Sequence, residues 1–265
     1  MKSSPTSLET ALQHDRLIVL SALAGIVAVA WTYMIHEAHG FEVNGFCAFL
    51  GMVMCGAATP AWSTVTILPL FLMWAEMMVA MMIPSAAPMI LTFAMVNRKR
   101  REQDRPFVST GLFVSGYLVV WFLFSLVAAL AQWTLHGVAL LSPMMHSQSQ
   151  WLAGILLLAA GVFQWTPWKQ TCLKHCRSPL TFLLSDWREG RRGAFCMGLK
   201  HGAYCTGCCW LLMTLLFVAG VMNLLWIAIL TTLVLIEKAS PPSWQIGRVV
   251  GALCVIWSGW LLLGS

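Results

Sequence analysis

The sequence predicts an all-α, polytopic helical membrane protein with seven transmembrane helices and a cytoplasmic N-terminus. Three observations lead to this prediction. Apolar residues make up 59% of the 265-residue chain and charged residues only 10%, with a mean hydropathy of +0.76, whereas soluble domains carry about 25% charged residues. Seven apolar stretches approach the ~20 residues that a helix needs to cross a bilayer. Finally, the basic residues are confined to alternate connections between those stretches.

The seven apolar stretches follow a polar N-terminal segment and together predict a single helical membrane domain over residues 1–265. The fourth, sixth and seventh stretches are the shortest, and the fifth and sixth are almost contiguous, which predicts a tight helical hairpin. The predicted spans lie at about 17–35, 67–96, 107–135, 151–165, 194–219, 222–236 and 249–263.

The distribution of Lys and Arg predicts the orientation. All 16 of them lie before the first span, after the second, between the fourth and fifth, or after the sixth, and residues 36–66 and 136–150 contain none. Cytoplasmic loops of membrane proteins collect Lys and Arg, so we expect a multi-pass protein of the bacterial inner (cytoplasmic) membrane, surrounded by the lipid bilayer. The inner loop 166–193 contains PLTFLLSDW, which is typical of a short interfacial helix.

Two groups of cysteine and histidine bracket this inner loop, in "CLKHC" and "HGAYCTGCC". Thiolate and imidazole are ligands that suit Cu(I), Zn(II) and iron–sulfur centres. We therefore predict a metal site on the cytoplasmic side, with copper as the expected metal and zinc or iron as alternatives. The contrary interpretation is a set of buried core cysteines beside a structural histidine. The predicted metal ligands are Cys172, His175, Cys176, His201, Cys205, Cys208 and Cys209.

The second predicted span contains "MWAEMMVAMMIPSAAPM". Helical periodicity places Met73, Met77 and Met81 on one stripe with Glu76 beside it. Thioether sulfur is a soft ligand that favours Cu(I), and an acidic side chain within a membrane costs about 2.5–3.5 kcal/mol, so it faces the bundle interior. We predict a weaker membrane relay at these four residues. The competing interpretation is that the methionines only fill gaps in the core.

Histidine and methionine also occur in the two predicted outer loops. They are expected either to collect copper outside the membrane or to be ordinary interfacial residues. These candidates are His36, His39, His136, Met144, Met145 and His146.

Other kinds of function find little support in the sequence. No nucleophile–base arrangement, phosphate loop or nucleotide motif is recognisable, and the placement of the basic residues is explained by topology, so we expect no nucleic-acid partner and do not favour an enzyme. Glu237 and Lys238 end the sixth span, where we expect them to anchor the helix end.

The stretches "MWAEMMVAMMIPSAAPM", "TPWKQTCLKHCRSPL" and "MGLKHGAYCTGCCWLLMTLLFVAGVMNLLWIAILTTLVLIEK" resemble a bacterial family of predicted metal-binding integral membrane proteins, a former domain of unknown function. The resemblance implies a multi-span helical fold and metal binding, with no reaction attached. It places the family's motif residues on Glu76 and its flanking methionines, on the seven Cys and His residues named above, and on Glu237.

The sequence therefore predicts a membrane protein that binds a soft transition metal, Cu(I), for copper handling, transport or delivery to a partner. The expected partner is a metallochaperone or another membrane or periplasmic protein. Two alternatives remain open: a membrane redox enzyme with a metal–thiolate or dithiol centre, and a membrane scaffold with a structural zinc site.

Overall fold

The computed structural model describes residues 7–43, 67–104, 106–137 and 149–263, which form helices and their connections and contain no strand. In chain order the helices are α1 (Ser7–Val43), α2 (Ile67–Glu102), α3 (Thr110–Gly137), α4 (Gln150–Phe163), α5 (Pro167–Arg177), α6 (Pro179–Asp186), α7 (Gly190–Thr214), α8 (Leu216–Ala219), α9 (Leu224–Ala239) and α10 (Ile246–Leu263). A single 3₁₀ turn among these residues, Pro242–Trp244, joins α9 to α10.

Five segments of the described chain are long and apolar enough to cross a membrane, and they correspond to the first, second, third, fifth and seventh predicted spans. The fourth predicted span is a 14-residue helix, α4, which reaches the required length only together with α5, across a 65° bend. The predicted sixth span is α9, with 16 residues. The described residues thus hold five candidate spans, or six with the bent pair. The count of seven and the orientation stay predictions. The five segments are Leu17–His36, Ile67–Glu102, Thr110–Leu135, Gly190–Ala219 and Ile246–Leu263.

Helices α3 and α7 pack with their backbones in contact. A Cβ atom added at Gly198 would overlap Phe113 O, and one added at Gly116 would overlap Phe195 O. Gly198 and Gly202 are four residues apart and therefore lie on one face of α7, where small residues permit such close helix approach. This contact brings Tyr117 of α3 against the cysteine-bearing part of α7.

The break between α4 and α5 has a local cause in "WTPW". Proline restricts the preceding residue to extended backbone, and Thr166 has φ −67° and ψ 143°. Thr166 then caps α5 by accepting a hydrogen bond from Lys169 N, and Pro167 occupies the first helical position, where its missing N–H costs nothing. The chain therefore turns by 65° instead of continuing as one straight span, and α5 is brought against α7.

A buried ion pair fixes α5 to α9. Lys169 Nζ lies 2.9 and 2.8 Å from the two carboxylate oxygens of Glu237, and the two side chains are 0% and 3% exposed. Gln164 Oε1 also accepts from Lys169 Nζ, and Arg177 Nε donates to Glu237 O at 2.8 Å. The C-terminal end of α9 is thereby held beside both ends of α5.

Two further contacts hold α2 to its neighbours. Trp74 Nε1 donates to Gln132 Oε1 of α3 at 2.6 Å, with both side chains buried. At the other end of α2, Phe93 stacks on Phe113 of α3 and on Trp187, which follows α6. These contacts hold α2 along α3 and against the connection that follows α6.

Candidate metal centre

Four cysteine sulfurs from two helices meet in the interior of the bundle. The thiol of Cys176 lies within hydrogen-bonding reach of those of Cys205 and Cys208, and so does the thiol of Cys209. Cys205, Cys208 and Cys209 are at most 1% exposed, and all four are free thiols. We call these four residues the thiol cluster.

Helix periodicity explains the contribution of α7. Cys205, Cys208 and Cys209 are spaced i, i+3 and i+4, which places them on one face, and that face is the buried one. The thiols of Cys208 and Cys209 each donate to Cys205 O at 3.0 Å. Cys176 reaches the same point from the last turn of α5 because the Arg177 contact to Glu237 O holds that turn in place.

Cys172 lies one turn before Cys176 on α5 and approaches α7 at a glycine. A Cβ atom at Gly207 would lie 3.0 Å from Cys172 Sγ, so the absence of a side chain there makes room for this thiol. Cys172 interacts electrostatically with Cys208, although no sulfur–sulfur hydrogen bond joins Cys172 to the thiol cluster in the described structure. Its sulfur therefore belongs to the periphery of the cluster.

A lysine donates to the thiol cluster. Lys238 Nζ lies 2.9 Å from Cys205 Sγ and 2.8 Å from Ser85 Oγ of α2. An ammonium group at this distance stabilises a thiolate, which is the form of cysteine that binds metals. Lys238 is adjacent to Glu237, so α9 contacts α5 with one charged residue and α7 with the next.

A tyrosine lies on the other side of Cys205. Tyr117 Oη is 3.2 Å from Cys205 Sγ and donates to Met82 O of α2 at 3.0 Å. The Tyr117 side chain is fully buried. The sulfur of Cys205 is consequently in contact with groups from α3, α5 and α9, besides its own helix, which makes it the centre of the cluster.

The two predicted histidine ligands have different surroundings. His201 lies one turn before Cys205, is 2% exposed, and packs among the rings of Phe113, Tyr117 and Phe182. Its Nδ1 atom has no hydrogen-bond partner. His175 instead stacks on Tyr204 at 4.2 Å, and its Nδ1 lies 2.9 Å from Thr171 O. His201 thus adjoins the thiol cluster, whereas His175 is held against a neighbouring face of α7.

The thiol cluster can bind a metal ion through three or four sulfurs only after some of its side chains turn. Among the described residues, no group of three or more His, Cys, Asp or Glu side chains is positioned to hold a metal ion without adjustment. The thiols of Cys208 and Cys209 instead point to a backbone carbonyl. Binding by three or four sulfurs therefore requires these side chains to turn. Two sulfurs suffice for the near-linear coordination that Cu(I) accepts, and thiolates are its preferred ligands.

The predicted methionine stripe is buried in α2. Met73, Met77 and Met81 are 9%, 1% and 0% exposed, and Glu76 is half-buried. Two other α2 residues contact neighbours of the thiol cluster: Met82 O accepts from Tyr117, and Ser85 Oγ accepts from Lys238. Burial does not distinguish the stripe from the rest of α2, because Met78 and Met82 are also 0% exposed, so the relay stays a prediction.

Among the residues predicted to collect copper outside the membrane, the structure describes the side chain of one. His36 is exposed on α1. His39 and His136 belong to α1 and α3, but their side chains are outside the described part of the structure, as are Met144, Met145 and His146 altogether.

Sequence reasoning missed three residues of the site: Tyr117, Ser85 and Lys238. Lys238 and Glu237 were expected to anchor a helix end, and the contacts instead place them in the interior, toward α7 and α5. A charged pair directly after an apolar run was the available signal. No comparable signal marks Tyr117, because an aromatic residue within an apolar helix is common.

A comparison with family models gives one match over most of the chain. The model described as "PpoB2: Copper chaperone" covers residues 71–261, which include most of α2, all of α3 to α9 and most of α10. No curated protein and no solved structure matches the chain.

Proposed function

The chain belongs to the PpoB2 family of copper chaperones, and from this premise we propose that it holds Cu(I) at the thiol cluster and delivers it to a partner protein. The observation that carries the proposal is the convergence of three buried free thiols from α7 and the half-buried free thiol of Cys176 from α5 beside the ammonium of Lys238. Soft thiolate ligands in a site without carboxylate ligands favour Cu(I) over harder cations.

The surroundings of the cluster suit a copper ion that must also be released. Cys205 has contacts to four other groups, whereas Cys176 belongs to a short helix that is separate from α7. Cysteine binds as thiolate, so uptake of the ion releases thiol protons, and Lys238 supplies a positive charge for the sulfur when the ion is absent. Cu(I) moves between proteins by exchanging one thiolate for another, and α5 offers a ligand that can exchange.

We further propose that the protein acts within the bacterial inner membrane, with its thiol cluster toward the cytoplasmic ends of the helices. The apolar helices α1, α2, α3, α7 and α10 support integration into a bilayer. The basic residues near the cluster support the orientation. His201, His175 and Cys172 would act from the periphery of the cluster, as weaker contributors to copper binding than its four thiols. The partner would be a metallochaperone or a membrane or periplasmic copper protein.

The test is a measurement of bound metal in protein purified from membranes under anaerobic, reducing conditions. We expect copper in the wild type, held against a chromophoric Cu(I) chelator. Cys205→Ser and Cys208→Ser each lower the Cu(I) affinity by more than about 100-fold, since loss of even an outer-shell partner costs 10–100-fold. Cys196→Ser and Cys254→Ser are the matched controls, because both are free thiols outside the cluster, and they keep wild-type affinity.

Other outcomes would overturn the proposal. Zinc bound at the cluster, with unfolding as the only consequence of chelation, would identify a structural scaffold. A coloured iron–sulfur centre would identify a redox protein, because Cu(I)–thiolate has no visible absorption band. Equal loss of copper in the cluster variants and in the two control variants would show that the cluster is not the binding site.

A further inference from the structure

We propose that the thioether of Met82 is the ligand from which Cu(I) enters the thiol cluster, on the side of Cys205. This inference rests on the proposed function, since it presumes that the thiol cluster holds Cu(I). It differs from the relay predicted from the sequence, which used the stripe Met73, Met77 and Met81 on another face of α2.

Two sets of contacts place Met82 beside the cluster. Tyr117 Oη donates to Met82 O at 3.0 Å and lies 3.2 Å from Cys205 Sγ. On the second side, Ser85 Oγ lies 3.9 Å from Met82 Sδ, and Lys238 Nζ donates to both Ser85 Oγ and Cys205 Sγ at 2.8 and 2.9 Å. A chain of three contacts therefore joins the thioether sulfur to the central thiol through Ser85 and Lys238.

The burial of Met82 and the chemistry of its thioether indicate the direction in which Cu(I) moves. Met82 is 0% exposed, so its sulfur lies in the interior of the bundle, as the three cluster thiols of α7 do. A thioether is a neutral, soft ligand that accepts Cu(I) without losing a proton, and it binds more weakly than a thiolate. An ion on Met82 consequently moves to the thiol cluster by ligand exchange: one Cu–S(thioether) bond breaks, one Cu–S(thiolate) bond forms, and copper stays Cu(I).

The neighbouring methionine provides a matched control. Met81 is also 0% exposed and belongs to the same core, but it lies about 100° around the helix from Met82. None of the hydrogen bonds or ion pairs of the described residues joins Met81 to α7 or α9. Leucine replaces methionine at either position with nearly the same volume, so both variants keep the core packed.

The experiment follows the rate at which purified protein takes up Cu(I), supplied as its acetonitrile complex under anaerobic conditions. The ultraviolet thiolate-to-Cu(I) charge-transfer band reports arrival at the cluster. We expect Met82→Leu to slow the appearance of this band by about tenfold, with the same final amplitude and affinity, whereas Met81→Leu loads at the wild-type rate. Far-UV circular dichroism and size-exclusion chromatography establish that both variants are folded.

A second measurement does not depend on rates. In selenomethionine-labelled Cys205→Ser protein, copper X-ray absorption is expected to show a Cu–Se contact that is lost on adding Met82→Leu and kept on adding Met81→Leu. The inference is overturned if Met82→Leu loads at the wild-type rate, if Met81→Leu slows loading equally, or if no Cu–Se contact is found. These results differ from a failure of the proposed function, in which wild-type protein itself develops no thiolate-to-Cu(I) band.

Discussion

The buried pair between Lys169 and Glu237 provides the most quantitative test of how the site is held together. Glu237→Gln preserves the size of the side chain and removes its charge, so the Lys169 ammonium remains in the interior facing an amide. The two Nζ–O distances are 2.9 and 2.8 Å, and the exposed fractions are 0% and 3%. The pair is therefore bidentate and almost completely removed from solvent.

Removal of one partner of a buried ion pair costs about 3–5 kcal/mol, because the remaining charge is uncompensated. We expect a value near the lower end, about 3 kcal/mol, for Glu237→Gln. Gln164 Oε1 continues to accept from Lys169 Nζ, and the contact of Arg177 is to the Glu237 backbone carbonyl, which the substitution leaves intact. Replacing both partners, with Lys169→Met added to Glu237→Gln, removes the unpaired charge and should recover most of that loss.

The measurement is equilibrium unfolding of the purified protein in detergent, followed by far-UV circular dichroism, for the two single variants, the double variant and a control. Asp186→Asn is the control, because Asp186 pairs with Lys200 at 2.5 Å and these side chains are 23% and 39% exposed. An exposed pair is worth about 0–1 kcal/mol. If Glu237→Gln cost no more than Asp186→Asn, or if the double variant were less stable than either single variant, the pair would not be the contact that holds α5 to α9.

Three further predictions concern the packing and the cluster. Gly198→Ala places a methyl group against the backbone of α3 and should cost about 1–3 kcal/mol in the same unfolding titration, whereas Gly259→Ala, with open space around it, should not destabilise the protein. Tyr117→Phe removes the hydroxyl that contacts Cys205 and should lower the free energy of unfolding by about 1–2 kcal/mol; no change would mean that the hydroxyl is not needed there. Cys172→Ser should weaken Cu(I) binding by less than about 10-fold, the lower limit for outer-shell partners, in chelator competition, and a loss as large as that of Cys205→Ser would make Cys172 a principal ligand.

The sequence predicted the helical class and the long apolar segments well, because chain length and hydropathy are local properties. It did not reveal that α4 and α5 meet at a 65° bend, although the Thr166–Pro167 pair contained the signal. The spacing of Cys205, Cys208 and Cys209 correctly placed these residues on one helix face. The approach of Lys238 to Cys205 depends on how α9 packs, and no local pattern encodes a contact between residues 33 positions apart.

The methionines illustrate the same limit. A 3.6-residue period identifies which side chains share a face of a helix, as it does for Met73 and Met77. Which face of α2 turns toward Tyr117 is decided by contacts such as the hydrogen bond from Tyr117 to Met82 O, and these are properties of the assembled bundle.

The glycine contact between α3 and α7 determines where the site is able to move. Because the backbones touch at Gly116 and Gly198, neither helix has clearance to slide or rotate past the other. The three residues of the thiol cluster on α7 are thus held in place, and room for an incoming ligand has to open on the opposite side. The opposite side is formed by the 11-residue helix α5. We therefore expect the sulfur of Cys176 to be the first to release a metal ion.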